Sequence, residues 1–253
     1  MPLTQLAFIE DLVNTTSLEE LWAKHLGKMQ TFGFDRALYG YTMFRAGDNL
    51  GDPEDFVILS NHDRAYLDEF FAKRMFTHAP MVKWSLEHDG SVSWSIMEDA
   101  YRRGDYSREE LDVVEFNRVW GITAGYSVSF KSLSPRSKAG IGLVGKPGAS
   151  QADVDAIWAA HGQEITLLNN IFHLKVLQLP YSYPNRALTS RQREVLEWVS
   201  DGKTTQDIAL LIDRTSATVE KHLRLARESL GVQTTAQAVS KATFQNQIFR
   251  YEL

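Results

Sequence analysis

The 253-residue chain contains no cysteine, which removes a disulfide framework, a thiolate metal site, a cysteine nucleophile and flavin–cysteinyl photochemistry together. No apolar run approaches the roughly 20 residues of a membrane span. The opening MPLTQLAFIEDLV is amphipathic with acids, where a secretory signal would be basic and then apolar. A cytoplasmic location is the expectation. Broad positive charge is also missing: 27 Lys and Arg against 32 Asp and Glu leave a formal net charge of −5. Any nucleic-acid contact must therefore be local. There is no GxSxG elbow, HExxH zinc helix, phosphate loop or dinucleotide glycine fingerprint, and His25, His62, His78, His88, His161, His173 and His222 are scattered. Glu98 and Asp99 are adjacent carboxylates without a partner base and read as decoration of a helix start. No enzyme, metal site or cofactor is implied.

What is present is globular: 43% hydrophobic and 23% charged residues, near the averages of compact domains. The length fits two ordinary domains. Apolar residues recur at helical spacing over residues 3–13 and again over 17–29, where Ser17 and Glu20 spell a capping box. The β-rich runs 37–44 and 55–60, separated by turn formers, predict a hairpin. Helices are predicted over 62–74 and 80–86, a short strand ends at Trp94, and a helix over 107–120 places Leu111, Val114, Phe116 and Val119 inward. Strands 125–132 and 139–145 follow. A long helix over 151–177 closes the region, its apolar set including Val154, Ile157, Ile165, Leu168, Ile171 and Leu174. Helices on both sides of about five mainly antiparallel strands make residues 1–177 an α/β/α sandwich with room for a pocket. Two prolines and two tyrosines mark a linker at 178–187. With an all-α helix–turn–helix over 188–253, the fold class is α+β.

In that last stretch Thr189 and Gln192 form the glutamine version of a capping box, and the first helix buries Val195, Leu196 and Val199 before Gly202 ends it. A second helix restarts at Thr204 or Thr205 and buries Ile208, Ala209, Leu211 and Ile212. Asp213-Arg-Thr-Ser216 is the turn, with Ser216 as N-cap of a third helix. There Val219, Leu223, Ala226 and Leu230 make one apolar stripe. The opposite arc presents Thr218, Lys221, Arg224, Leu225 and Glu228, the geometry of a helix that enters the major groove.

The stretch resembles the LuxR-type helix–turn–helix. LTxREREVLxWxAxGKT is matched at Leu188, Thr189, Arg191, Glu194, Val195, Leu196, Trp198, Gly202, Lys203 and Thr204. IAxxL, TVxxH and KLGV are matched at Ile208, Ala209, Thr218, Val219, His222, Leu230, Gly231 and Val232. Two positions depart. Gln192 replaces a glutamate, giving up ~0.3–1 kcal/mol of helix-dipole attraction, and Ser229 replaces a lysine that would meet phosphate. The resemblance implies DNA contacts from Lys203, Thr204, Thr215, Ser216, Thr218, Lys221, His222, Arg224 and Arg227. Glu220 has two readings, acceptor from cytosine or repeller of phosphate. A module of this size reads double-stranded DNA tightly only as a homodimer on two half-sites. Val239, Ala242, Phe244, Ile248 and Phe249 either meet that partner or cap their own three-helix core.

The order helix, helix, hairpin, helices, three strands and long helix is similar to the autoinducer-binding domain of quorum-sensing LuxR receptors, which hold an acyl-homoserine lactone. That family's WxxxY, DP, tryptophan and GxxxG pattern lays Tyr66 on the first tryptophan, Phe70 on the tyrosine, Ala79-Pro80 on DP, Trp94 on the second tryptophan and Gly125 on the glycine. Pro80, Trp94 and Gly125 match. In the family the aspartate accepts the ligand's amide N–H, the tyrosine hydroxyl donates to the acyl carbonyl and the tryptophan indole donates to the lactone carbonyl. Ala79 and Phe70 can do neither of the first two, at about 1–3 kcal/mol per buried group left unpaired. The small-molecule signal is therefore expected to be more apolar or differently functionalised than an ordinary acyl-homoserine lactone. His78 is either a replacement polar contact or an exposed turn residue. Tyr39, Tyr41, Trp84 and Tyr126 either line the cavity or fill the core. The alternative to a ligand-responsive regulator is a ligand-independent one whose N-terminal domain only dimerises or binds a protein.

Overall fold

The computed structural model describes residues 3–47, 49–132, 134–181 and 186–249. The chain divides into two compact units, Met1–Leu177 and Gln178–Leu253. Residues 182–185, within the stretch expected to be a linker, lie outside the described residues.

The first unit opens with α1 (Leu3–Val13) and α2 (Leu18–Phe32), the latter capped by Ser17 accepting from the Glu20 N–H. Then come β1 (Phe34–Thr42), β2 (Val57–Ser60), α3 (Arg64–Ala72), α4 (Pro80–Glu87), β3 (Gly90–Ser93), α5 (Ser95–Arg103) and α6 (Arg108–Val119). Strands β4 (Gly125–Phe130) and β5 (Lys138–Gly145) and helix α7 (Gln151–Val176) complete it. The five strands run β2-β1-β5-β4-β3, and every neighbouring pair is antiparallel. The expected sandwich is therefore present, with a sheet that is wholly antiparallel.

Strand periodicity assigns each face. Tyr39, Phe130, Ile141 and Leu143 are buried on the side of α7, where Tyr39 meets Phe172 edge-on and Phe130 stacks on His173 at 4.3 Å. The Tyr39 hydroxyl and His173 Nδ1 are 2.8 Å apart, and His25 Nε2 reaches Asn169 Oδ1 at 3.1 Å. Burial holds both His25 and His173 down to about 4, so both are neutral at pH 7. The opposite face of the sheet, covered by α3 to α6, encloses a cavity.

Two helices of this unit differ from the expected faces. In α6, Leu111 is 38% and Val119 76% exposed, while Val113 and Glu110 turn inward. The capping box of Ser107 with Glu110, and the Glu110 ion pair to Lys83 at 2.6 Å, fix that rotation. Leu174 of α7 is exposed, because Phe172, His173 and Val176 supply the inner surface there. Glu98 and Asp99 belong to α5, where both pair with Arg102.

The second unit contains α8 (Ser190–Ser200), α9 (Thr205–Leu211), α10 (Ser216–Leu230) and α11 (Thr235–Phe244). Val195, Leu196, Ile208, Val219, Ala226, Leu230, Ala238 and Ala242 form its core. The Thr189–Gln192 capping box is closed in both directions, at 2.8 and 3.3 Å. Leu211 is exposed, since the short α9 turns only Ile208, Ala209 and Ile212 toward the core. The N-cap of α10 is Thr215, not Ser216: its side chain accepts from the Thr218 N–H at 3.2 Å and leaves Ser216 as the first helical residue. Among the described residues, no helix is long and apolar enough to cross a membrane.

Candidate functional site

The cavity between the sheet and α3 to α6 has a volume of about 570 Å³, within the range of small-molecule sites. Tyr66, Phe70, Ala79, Pro80 and Trp94 all line it. Tyr41 also contributes to the wall, but its ring meets His173 on the α7 side, so the contribution comes from its backbone side. His78, Trp84 and Gly125 are not lining residues. His78 is exposed on the turn before α4, and Trp84 stacks on His88 at 5.2 Å. Tyr39 faces α7, and Tyr126 stacks on Trp158 at 4.0 Å.

Gly125 acts one layer behind the wall. A Cβ there would fall 2.3 Å from the Leu143 carbonyl oxygen and 2.8 Å from the Trp94 ring, so only glycine lets that indole lie against the strand. Trp94 is thereby held with its Nε1–H donating to Ser127 Oγ at 2.9 Å. Tyr66 stacks between His62 and Phe116, at 5.1 and 5.2 Å, and its hydroxyl donates to Asn117 Oδ1 at 3.0 Å. Burial pushes the Tyr66 phenol well up. It also pulls His62 down to about 4, with the Arg36 charge adding to the effect. Ala79 is buried at the N-cap of α4 with no side-chain cap.

The cavity is electrically quiet. Its charged lining residues are each paired: Glu98 with Arg102, Arg118 with Glu115 at 2.8 Å, and Lys138 with Asp89 at 2.6 Å. Ser127, Asn117 and His62 were not singled out from sequence. The signal for Ser127 was its alternation with Val128 in GYSVSF, which puts it on the face opposite the core residue. Asn117 sat seven residues after Glu110 on the same helical face.

The second unit presents a separate polar surface. Lys203, Thr204, Thr215, Ser216, Lys221 and Arg224 are exposed, and Thr218 and His222 are half-buried. Thr204 caps α9 through Asp207, and Thr215 caps α10. Arg224 pairs with Glu228 at 2.6 Å. Arg227 is turned toward α11, donating to Thr235 Oγ1 at 2.9 Å. Glu220 accepts from Thr205 Oγ1 at 2.9 Å, which tethers the head of α10 to α9. Ala242 and Ile248 belong to the unit's own core, while Phe244 and Phe249 are 55% and 60% exposed.

Residues 17–176 match the model of the autoinducer binding domain, and residues 186–242 match that of the bacterial regulatory proteins of the luxR family. The transcriptional activator BjaR1 of Bradyrhizobium diazoefficiens is 29% identical over 163 residues, 63% of this chain and 58% of that protein. AhyR of Aeromonas hydrophila, also a transcriptional activator, is 24% identical over 93% of this chain and 88% of its own length. The crystal structure of Escherichia coli SdiA superposes with a TM-score of 0.58 over 98% of both chains at 15% identity. SdiA in complex with octanoyl-rac-glycerol gives 0.56 over 98% of this chain and 97% of that one, again at 15% identity. A chain whose sheet and helices enclose a cavity in one unit, and whose other unit presents a capped helix–turn–helix, thus belongs to the LuxR-type transcriptional regulators with an autoinducer-binding domain.

Proposed function

We propose that this regulator is a cytoplasmic homodimer that reads two half-sites of double-stranded DNA through α10, and that its cavity takes a neutral signal other than an ordinary acyl-homoserine lactone. The observation that carries the ligand reading is where the polar groups of the cavity point. Ala79 offers no acceptor and Phe70 no hydroxyl. The Tyr66 hydroxyl and the Trp94 indole N–H are already committed to Asn117 and Ser127. An amide N–H buried at Ala79 would lose its partner, at about 1–3 kcal/mol, a factor of roughly ten or more in affinity. SdiA accommodates an amide-free acyl ester on the same fold, which supports this reading.

Titration calorimetry with N-octanoyl-homoserine lactone tests it. Binding to the wild type should be weak, and Ala79→Asp should tighten it about tenfold by restoring an acceptor. Tight binding to the wild type would refute the exclusion of amides. For the reader, duplexes selected from a random library by the full chain should carry paired half-sites. Lys221→Ala should weaken binding to all of them and lower the salt dependence by about one released ion. Enrichment of single unpaired sites would refute the dimer. The ligand-independent reading predicts that mass spectrometry of extract from the purified protein finds nothing bound, and a mainly apolar cavity of about 570 Å³ whose lining charges are paired argues against it.

A further inference from the structure

Three glycines face the cavity from the middle of the sheet, and the backbone requires none of them. Gly40 of β1 and Gly140 of β5 are directly opposed, and Gly142 lies one pair along, opposite Leu38 on one side and Ser127 on the other. None has a positive φ. A Cβ on Gly40 would meet one atom within 4 Å, Ile58 Cδ1 at 3.6 Å, and a Cβ on Gly142 would meet one Trp94 ring carbon at 3.6 Å. At Gly140 the nearest atoms would be the Val128 carbonyl oxygen at 3.4 Å and Ser85 Oγ at 3.5 Å. These are ordinary contacts, so alanine fits at each position. Glycine inside a strand loses more backbone entropy on folding and packs nothing, and it commonly marks a place where a ligand comes close to the backbone.

The sheet therefore gives up side chains at three adjacent positions where the fold has room for them. What it gains is a patch of bare peptide planes, on which a flat group lies at van der Waals distance and from which a methyl would lift it. Beside the patch stands Ser127, 3% exposed and lining the cavity. Its Oγ accepts from Trp94, and its own proton has no acceptor among the described residues. A hydroxyl that already accepts a hydrogen bond is the stronger donor for it.

We propose that the cavity seats a neutral ligand with a planar, unsaturated or aromatic head that carries a carbonyl-type acceptor. The head lies on Gly40, Gly140 and Gly142, and Ser127 donates to its oxygen. This rests on the reading of the cavity as a ligand site. The paired charges of the lining favour neutrality, and Ser127 sets the position of the acceptor.

The probe is 6-propionyl-2-(dimethylamino)naphthalene, which is planar and neutral, has a carbonyl and no N–H, and emits further to the red when that carbonyl accepts a hydrogen bond. Added to the full chain, it should bind saturably. Gly40→Ala and Gly142→Ala should each weaken binding by roughly tenfold or more while leaving the thermal midpoint unchanged or raised. Gly27→Ala, on α2 with nothing within 4 Å of the new Cβ, should bind as the wild type does. Ser127→Ala should shift the bound emission to the blue and weaken binding by about fivefold, whereas Ser127→Thr should keep the wild-type emission. The proposal is overturned by any of four results: no saturable binding to the wild type, undiminished binding to the glycine variants, loss of fold in those variants, or bound emission that is the same in Ser127→Ala. Binding as expected without any change in DNA affinity would refute ligand-responsive regulation and leave this assignment standing.

Discussion

The two faces of the one sheet are built from alternate residues of the same strands and do opposite work. Toward α7, Tyr39, Ile141 and Leu143 are at most 2% exposed and meet a layer of aromatic and histidine side chains. Toward α3 to α6 the residues between them are Gly40, Gly140 and Gly142, and a cavity of about 570 Å³ takes the place of side chains. The motifs YGY and GIG thus write stability and space into successive residues. The difference shows that strand periodicity here separates a filled face from a face left open to a cavity, and on the proposed reading of that cavity substitutions on the two faces should be felt in different measurements.

The largest expected effect is on the filled face. Leu143 is fully buried, and Leu143→Ala should destabilise the first unit by ~3 kcal/mol through lost burial and a residual void. Urea unfolding reads this directly, and a loss under about 1 kcal/mol would mean that the face is loosely packed. Next in size, residue for residue, is acid sensitivity. His25, His62 and His173 are each held at about 4, against the usual 6.5, mainly by burial. A depressed histidine pKa means that the unfolded chain takes up the proton first as pH falls. Stability is therefore whole above about 6.5 and is lost toward about 4, by roughly 2 kcal/mol per histidine at about pH 5. Unfolding curves at about pH 7, 6 and 5 check the sign, and His173→Asn should flatten the series. Stability that stays level over that range would contradict the dry environment ascribed to these side chains.

Much of the architecture was legible because it is written locally. The full capping box at Thr189 lies within one helical turn, as does the cap at Ser17, where only the hydroxyl half of the expected box forms because the Glu20 carboxylate pairs with Lys24. The glycine that ends α8 and the antiparallel pairing of β1 with β2 are likewise features of neighbouring chain segments. Where the reading slipped, the deciding contact was distant or one residue off. The rotation of α6 depends on Lys83 meeting Glu110, 27 residues away, and the cap of α10 moved from Ser216 to the equally competent Thr215. The aromatic frame of the cavity followed from spacing shared with a family. The destinations of its hydrogen bonds did not: Trp94 finds Ser127 33 residues on and Tyr66 finds Asn117 51 residues on. No pattern within a single helix or strand encodes those pairings.

The smallest effect is also the sharpest comparison, since it makes one substitution on both faces. Tyr39→Phe removes the hydroxyl that meets His173 Nδ1 at 2.8 Å, between a fully buried tyrosine and a buried histidine. No water can replace it there, so the stranded imidazole nitrogen should cost about 1–3 kcal/mol. Tyr66→Phe removes a hydroxyl that donates to Asn117 at 3.0 Å, but Asn117 is half-buried at the cavity wall. Water entering the cavity can satisfy that amide, so the loss should be only about 0.5–1 kcal/mol. Parallel urea unfolding of the two variants decides the matter. Equal losses would mean that the cavity is as dry as the helix-facing layer, and the ligand would then have to replace direct protein contacts instead of displacing water.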